Sequence, residues 1–588
     1  MKHLYNAKSV NIVIIIIVSF GVYANTLLNG FVYDDNDQIL RNPWITDVRH
    51  IPAILFSPVW SFLEAFKDVK TNYYRPMMNL IYMAEYHIFG LKPWGWHLVN
   101  ILFHAANSIM IFLIALILFR QQGHQVSTLK SQISGPAFFA AILFAVHPIN
   151  TEVVAWVACI PELSFTLFYL LAFYLYIKPC EGNRLASICY ILSVMSFFLA
   201  VLSKETALTL PMLLFVYDRI FRNTVNTAIS HISDYIKRYL PFAIVAGLYM
   251  LLRIYSLGGM APKKPTHPYL NTYQYIINIF PLVIQYLKSL LLPINLVQFH
   301  PLNPVYSLGE LRALLSIFLT LSALLIFYRL RKIDFVYLFA FFIIIIPLVP
   351  VLYIPVLGAN VFAERYLYLP SAGFALILSL GLKQLAGLIP AKKKIAWFSI
   401  GIFIIISGTY SFGTVKRNLE WKNNYTLWEN ATEKYPNNYF ALKELADIYL
   451  KKGLIDEAII THQKSIRTNL HRKNPHPAML DHSRLNLAGA YYAKGLMNEA
   501  ILEYKEVVKD HPNRENLMAL FQKALMDAEK PSGINDIFIF LGNIYTITGL
   551  FKDAVEYYEE ALKITPDDPL ALHNLEVVRK FLERGESK

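Results

Sequence analysis

The sequence predicts an all-α protein in two parts. A polytopic membrane helix bundle of about eleven spans fills residues 1–414, and an α-helical repeat solenoid fills 415–588. Three observations carry this reading. Hydrophobic residues make up 55% of the 588 and charged residues only 16%, against roughly 25% charged in an average globular chain. Residues 1–414 hold 30 Lys and Arg against 16 Asp and Glu, whereas 415–588 hold 24 against 25. The basic excess therefore sits wholly in the apolar part, a membrane-topology pattern rather than a nucleic-acid footprint. Finally, the tail repeats a pattern of small and aromatic residues at fixed offsets. Three cysteines, Cys159, Cys180 and Cys189, exclude a disulfide scaffold and a Cys-rich metal site.

A spanning helix needs about 20 mostly apolar residues. The candidate spans are about 10–29, 94–119, 135–149, 161–177, 185–203, 206–221, 239–256, 307–328, 335–356, 366–387 and 395–414. The first is kept as a span because its run is long and no cleavage site of small residues ends it. Two shorter or interrupted stretches, 76–90 with Glu85 and His87 and 272–292 with Pro281 and Lys288, are assigned as interfacial helices. With both on the outer face, the inner loops collect 17 basic residues against four acidic ones, from Lys2, Lys8 and Arg120 to Lys130, Lys178, Glu181 and Lys392–Lys394. The N-terminus is then cytoplasmic and the repeats lie outside.

In the tail, Leu445, Ala446, Tyr449, Gly453 and Ala458 recur as Leu487, Ala488, Tyr491, Gly495 and Ala500, and again as Leu541, Gly542, Tyr545, Gly549 and Ala554. These offsets match the tetratricopeptide pattern, in units of about 439–472, 481–514 and 535–568. Small residues let two helices approach, Gly allows the turn, and Pro512 and Pro566 stop the second helix. Residues 421–436 read as an incoming half-unit, 470–480 and 513–534 as connectors, and 568–588 as a polar cap. Such arrays bind peptides or proteins.

In this topology the polar interruptions of the spans collect at the outer face, which points to a site at that boundary. GFVYDDND, residues 30–37, places Asp34 and Asp35 just after the first span. Paired carboxylates there can act as a general base, hold a metal, or both. An amphipathic stretch (about 50–66) and then Arg75 follow. Arg75, Lys204 and Arg365 end separate segments and together can clamp a phosphate. His147, Glu152, His300 and Glu364 can orient an acceptor or shuttle a proton. No P-loop, HExxH, GxSxG or CxxC pair is present.

The order YDDND, YYRPMMNL, WHLVNILFHAAN, FAVHPINTEVVAWV, SKE, LPINLVQFHP, VFAERYLYLPSAG and then the repeats resembles the transmembrane-and-tetratricopeptide-repeat-containing O-mannosyltransferases and their bacterial relatives. These are similar to the integral-membrane C-type glycosyltransferases. The resemblance implies an acidic catalytic pair at Asp34 and Asp35 and a polyprenyl-phosphate sugar donor. It also implies transfer of a mannose-like sugar to Ser/Thr hydroxyls of a protein or peptide acceptor, on the periplasmic or lumenal side. A divalent metal ion held by Asp34 and Asp35 is the one cofactor it leaves open, and no nucleic-acid partner is expected. Neighbours in an extended loop point to opposite sides, so one Asp faces the acceptor, with a slight preference for Asp35. Two other readings remain at this point: transfer to a glycolipid or polysaccharide, and a non-enzymatic membrane-anchored scaffold.

Overall fold

The computed structural model describes residues 2–63, 73–122, 135–179, 182–222, 232–259, 267–356, 360–387, 392–510 and 550–584, with a few positions between 538 and 546. The end of the amphipathic 50–66 stretch, Lys130, Cys180, Glu181, Pro512, the 513–534 connector and Gly549 lie outside the described residues. Among the described residues every regular element is a helix, apart from one antiparallel bridge between His300 and Phe362. Two compact units run Met1–Asn430 and Ala431–Lys588.

In the first unit, nine helices among the described residues are long and apolar enough to cross a membrane. They are Lys8–Leu28, Pro93–Gln121, Val157–Ile177, Asn183–Ser203, Tyr235–Leu257, Leu311–Leu330, Phe335–Leu352, Glu364–Leu385 and Ser399–Asn418. Pro136–Val146 and Pro148–Ala155 form a tenth candidate bent by 48°. The chain is a multi-pass membrane protein. Its helices fall into two kinds. Val157–Ile177 is 78% buried and forms the centre, whereas Leu311–Leu330 is 11% buried. The latter turns Leu311, Leu314, Phe318, Leu321 and Leu325 outward, a face that only lipid can cover favourably.

The expected span at 206–221 is not one helix. It is a tight turn at Glu205–Thr209, an α-helix at Leu210–Tyr217 and a wide turn at Asp218–Arg222. Pro211 cannot donate to a preceding carbonyl, so an α-helix cannot run through it from Glu205. Both ends of the segment are anchored by polar contacts. Glu205 pairs with Arg75 at one end, and Asp218 accepts from Tyr176 at the other. The two interfacial stretches form helices at Pro76–Phe89 and Thr272–Leu291, and neither qualifies as a span.

The bend between Val146 and Ile160 strips carbonyls of their helical donors, and the buried polar stripe of the WHLVNILFHAAN motif supplies replacements. Asn100 Nδ2 donates to Val154 O (3.2 Å) and Trp156 O (3.1 Å). His104 Nε2 bonds Ala145 O (3.0 Å), and beyond the bend Asn107 Nδ2 donates to Leu163 O inside the following helix (3.1 Å). Thr414 Oγ1 closes on Val146 O (2.8 Å). These residues hold a broken backbone in place.

In the second unit, Tyr439–Lys451 packs on Ile455–Leu470, and Pro477–Ala493 on Met497–Asp510. The turns place Gly453 at φ 73° and Gly495 at φ 80°, a conformation that favours glycine. Ala446, Ala458, Ala488, Ala500 and Ala554 are fully buried. A Cβ on Gly542 would collide with the ring of Tyr558, which is the close approach that the small residues permit.

Candidate active site

The loop after the first span is tied down before it presents anything. Asn418 Nδ2 donates to Val22 O (2.9 Å) and to Asn25 Oδ1 (2.7 Å), and Gly30 N donates to Lys422 O (2.9 Å). Tyr33 sits at φ 54°, a strained position for a bulky residue. It is held there by Asn424 Oδ1, which accepts from its N–H (2.7 Å), and by Trp156 and Trp428 packed against its ring. Residues 33–40 are then a turn and a short wide helical turn, not an extended loop.

This geometry separates the two aspartates. Asp35 is fully buried, its Oδ2 accepting from Val32 N (2.9 Å) and its Oδ1 from Ala158 N (2.7 Å). Burial pushes its carboxyl up to about 8, against the two N–H donors that favour the anion. Asp34 instead lines a cavity of about 300 Å³. The preference for Asp35 as the base therefore gives way: its oxygens face backbone, and no acceptor can reach them. The pair also does not fit a shared cation. Asp35 is fully buried with a backbone N–H already on each oxygen, and among the described residues no three His, Cys, Asp or Glu side chains converge.

Arg75, Lys204 and Arg365 line the same cavity as Asp34. Each is already held by a carboxylate. Arg75 forks onto Glu205 (Nη2–Oε1 2.6 Å, Nε–Oε2 3.1 Å). Lys204 Nζ meets Glu162 Oε1 at 2.8 Å, with both side chains 4% exposed. Arg365 Nη1 meets Glu152 Oε1 at 2.7 Å, and its backbone N–H donates to Glu152 Oε2. Aromatic faces complete the wall: Tyr366 lies under both Lys204 (5.1 Å) and Arg365 (5.3 Å), Trp156 under Arg365, and Tyr73 under Arg75. The Glu205 charge raises the Arg75 guanidinium further, outweighing the burial that would lower it.

The remaining candidates stand behind the cavity or away from it. Glu152 is fully buried and buttresses Arg365. Glu364 lies 2.5 Å from Arg417 Nη2 and 3.5 Å from His300 Nε2, a second ionic network adjoining Glu152. His147 is a structural pin, not an acceptor-orienting group. Its Nδ1 accepts from Ile149 N and its Nε2 bonds Leu290 O, so backbone takes both nitrogens. Sequence reasoning passed over Arg253, Arg417, Trp156 and Tyr366. Arg253 had a signal: it is a guanidinium that interrupts the apolar run after Arg238 in the span Tyr235–Leu257, and it lines the cavity.

Fold and cluster together define a multi-pass membrane protein with a charged, aromatic-walled cavity at one face and a tetratricopeptide-repeat domain. The tetratricopeptide repeat family matches residues 536–568. Protein O-mannosyl-transferase TMTC3 of Mus musculus is 25% identical over 465 residues, covering 74% of this chain and 48% of that protein. Protein O-mannosyl-transferase F38B6.6 of Caenorhabditis elegans is 26% identical over 469 residues, covering 78% and 62%. Protein O-mannosyl-transferase Tmtc1 of Drosophila melanogaster is 34% identical over 192 residues, covering 33% and 21%. The chain is thus a relative of the transmembrane-and-tetratricopeptide-repeat-containing protein O-mannosyltransferases. It spans about half to three-fifths of the length of the first two of these.

Proposed function

We propose that the protein is a membrane glycosyltransferase that moves a sugar, mannose or one like it, from a polyprenyl-phosphate donor to Ser/Thr hydroxyls of proteins on the outer side of the membrane. The observation that carries this is the convergence of Asp34 with Arg75, Lys204 and Arg365 on one cavity. The names of the relatives supply the reaction class.

The chemistry follows from the placement. A sugar phosphodiester brings its own leaving group. The protein must activate the acceptor hydroxyl and stabilise the departing phosphate. Asp34 takes the hydroxyl proton as the acceptor oxygen bonds the anomeric carbon and the carbon–phosphate-oxygen bond breaks. Displacement by one base inverts the anomeric centre. The three cations hold the phosphate oxygens as their charge grows. Their carboxylate partners fix them beforehand, and a guanidinium with five N–H donors can keep a carboxylate and still bind phosphate. The aromatic faces suit the apolar face of a sugar. Asp35 positions the loop through Val32 and Ala158. We place acceptor recognition in the repeats, which follow the segment bonded to the Asp34 loop.

Single-turnover transfer from polyprenyl-phosphate mannose tests this, with peptide and glycolipid acceptors compared. Asp34→Asn should cut turnover by roughly two to four orders of magnitude while leaving donor binding intact. Near-normal transfer by a correctly inserted Asp34→Asn protein would end the assignment. Transfer to glycolipid alone would move the acceptor class.

A further inference from the structure

The opposite end of the central helix holds a second, unrelated cavity. Tyr176 follows Glu162 by four helical turns, about 21 Å along the axis. Here a cavity of about 230 Å³ is lined by Lys178, Arg222 and Arg238, with Leu175, Ala186, Cys189 and Tyr190. Asp218, bonded to residues of this wall, is buried and heavily subscribed. Tyr176 OH (2.5 Å), Tyr239 OH (2.7 Å) and Arg238 Nη1 (3.0 Å) all reach Oδ2, and Arg222 Nη1 lies 3.3 Å from Oδ1.

Three cations line the cavity, and the carboxylate that meets two of them among the described residues, Asp218, is spent on fixing those two. Lys178 pairs with no carboxylate among the described residues and sits close enough to Lys8 to repel it. A cavity lined by an excess of one sign of charge attracts an ion of the other. The two guanidiniums, held by Asp218, are oriented beforehand for planar recognition of oxygens.

We propose that this cavity is a binding site for a phosphate group, filled by the headgroup of an anionic phospholipid. The apolar wall favours the lipid as the source. Helix Asn183–Ser203, which supplies Ala186, Cys189 and Tyr190, turns Leu185, Ile188, Ile191 and Met195 outward, a surface along which acyl chains can lie. Basic openings between spanning helices are suited to such headgroups.

Native mass spectrometry of the full-length protein, titrated with phosphatidylglycerol or with chain-matched phosphatidylcholine, tests the proposal, alongside ³¹P line broadening of inorganic phosphate. One phosphatidylglycerol should be retained in preference to phosphatidylcholine, and Lys178→Met should weaken it roughly fivefold. Arg238→Met should weaken it further, but it strips a partner from Asp218 and can fail to fold. Lys178→Met, which breaks no ion pair among the described residues, keeps the test decisive. Binding of inorganic phosphate without lipid preference, lost in Lys178→Met, supports a phosphate site served from solution. Equal retention of both lipids with no phosphate broadening overturns the site, as does a Lys178→Met protein that binds both probes like wild type.

Discussion

Lys204 and Glu162 form the most deeply buried ion pair lining the candidate site. Removing one partner of such a pair leaves an uncompensated charge, at a cost of about 3–5 kcal/mol, whereas removing both is often neutral. This separates folding from binding. Lys204→Met should lower thermal stability in detergent, and Lys204→Met/Glu162→Gln should restore most of it without restoring donor affinity. A double variant that recovers full donor binding would make the pair purely structural. Asp35 gives a second residue-scale expectation. Its folded carboxyl is pushed up to about 8, so its contribution to stability is full below the ordinary carboxylate range and is lost as pH rises toward 8. Asp35→Asn should abolish that slope in melts taken between pH 4 and 8. It should also cost about 1–3 kcal/mol at the acid end, because one backbone N–H then meets an amide NH₂. An unchanged slope would place the titrating group elsewhere.

At the scale of elements, the first repeat hairpin carries its own titrating centre. Asp447 is met by Lys443 Nζ (2.9 Å), His482 Nε2 (3.2 Å) and His462 Nε2 (3.4 Å), with Asn486 donating at 2.6 Å. Burial holds His462 down at about 4 despite the Asp447 charge, and Lys443 and His482 hold Asp447 below the usual carboxylate range. A depressed histidine costs stability as pH falls from about 6.5 toward 4, and the depressed carboxylate adds its loss only below that window. Amide exchange over Tyr439–Leu470 should therefore quicken as the pH drops through that window, by an opening free energy on the order of 1–3 kcal/mol. His462→Leu should flatten the response. Persistence of the full slope in that variant would place its origin outside His462.

At the scale of the molecule, charge divides the membrane unit into two ends. One end gathers Asp34, Glu162, Glu205 and Glu364 with their cations. The other holds Asp218 with Arg222 and Arg238, beside Lys178. We expect the basic end to face the cytoplasm. Single cysteines at Asn183 and Asn437 should then react from opposite sides of sealed vesicles. Reaction of both from one side would refute the arrangement.

The helical class, the apolar spans and the repeat units were legible in the sequence because each is set by local periodicity: runs of about 20 apolar residues, or small residues at fixed offsets. The clustering of site residues was legible for a different reason. Loops that emerge on one face are confined to a thin layer, so Arg75, Lys204 and Arg365 had little room to be apart. What no local pattern encodes is which partner each group finds. Asp35 is claimed by an N–H 123 positions away, and Arg365 by a carboxylate 213 away. The pinning of His147 by Leu290 is likewise a product of packing between distant segments. Sequence by itself determined the membrane bundle and the repeats. Only the tertiary structure decided that Asp34 looks into the cavity while Asp35 holds the loop, because one turn at Tyr33, fixed by Asn424, Trp156 and Trp428, sends adjacent side chains in different directions.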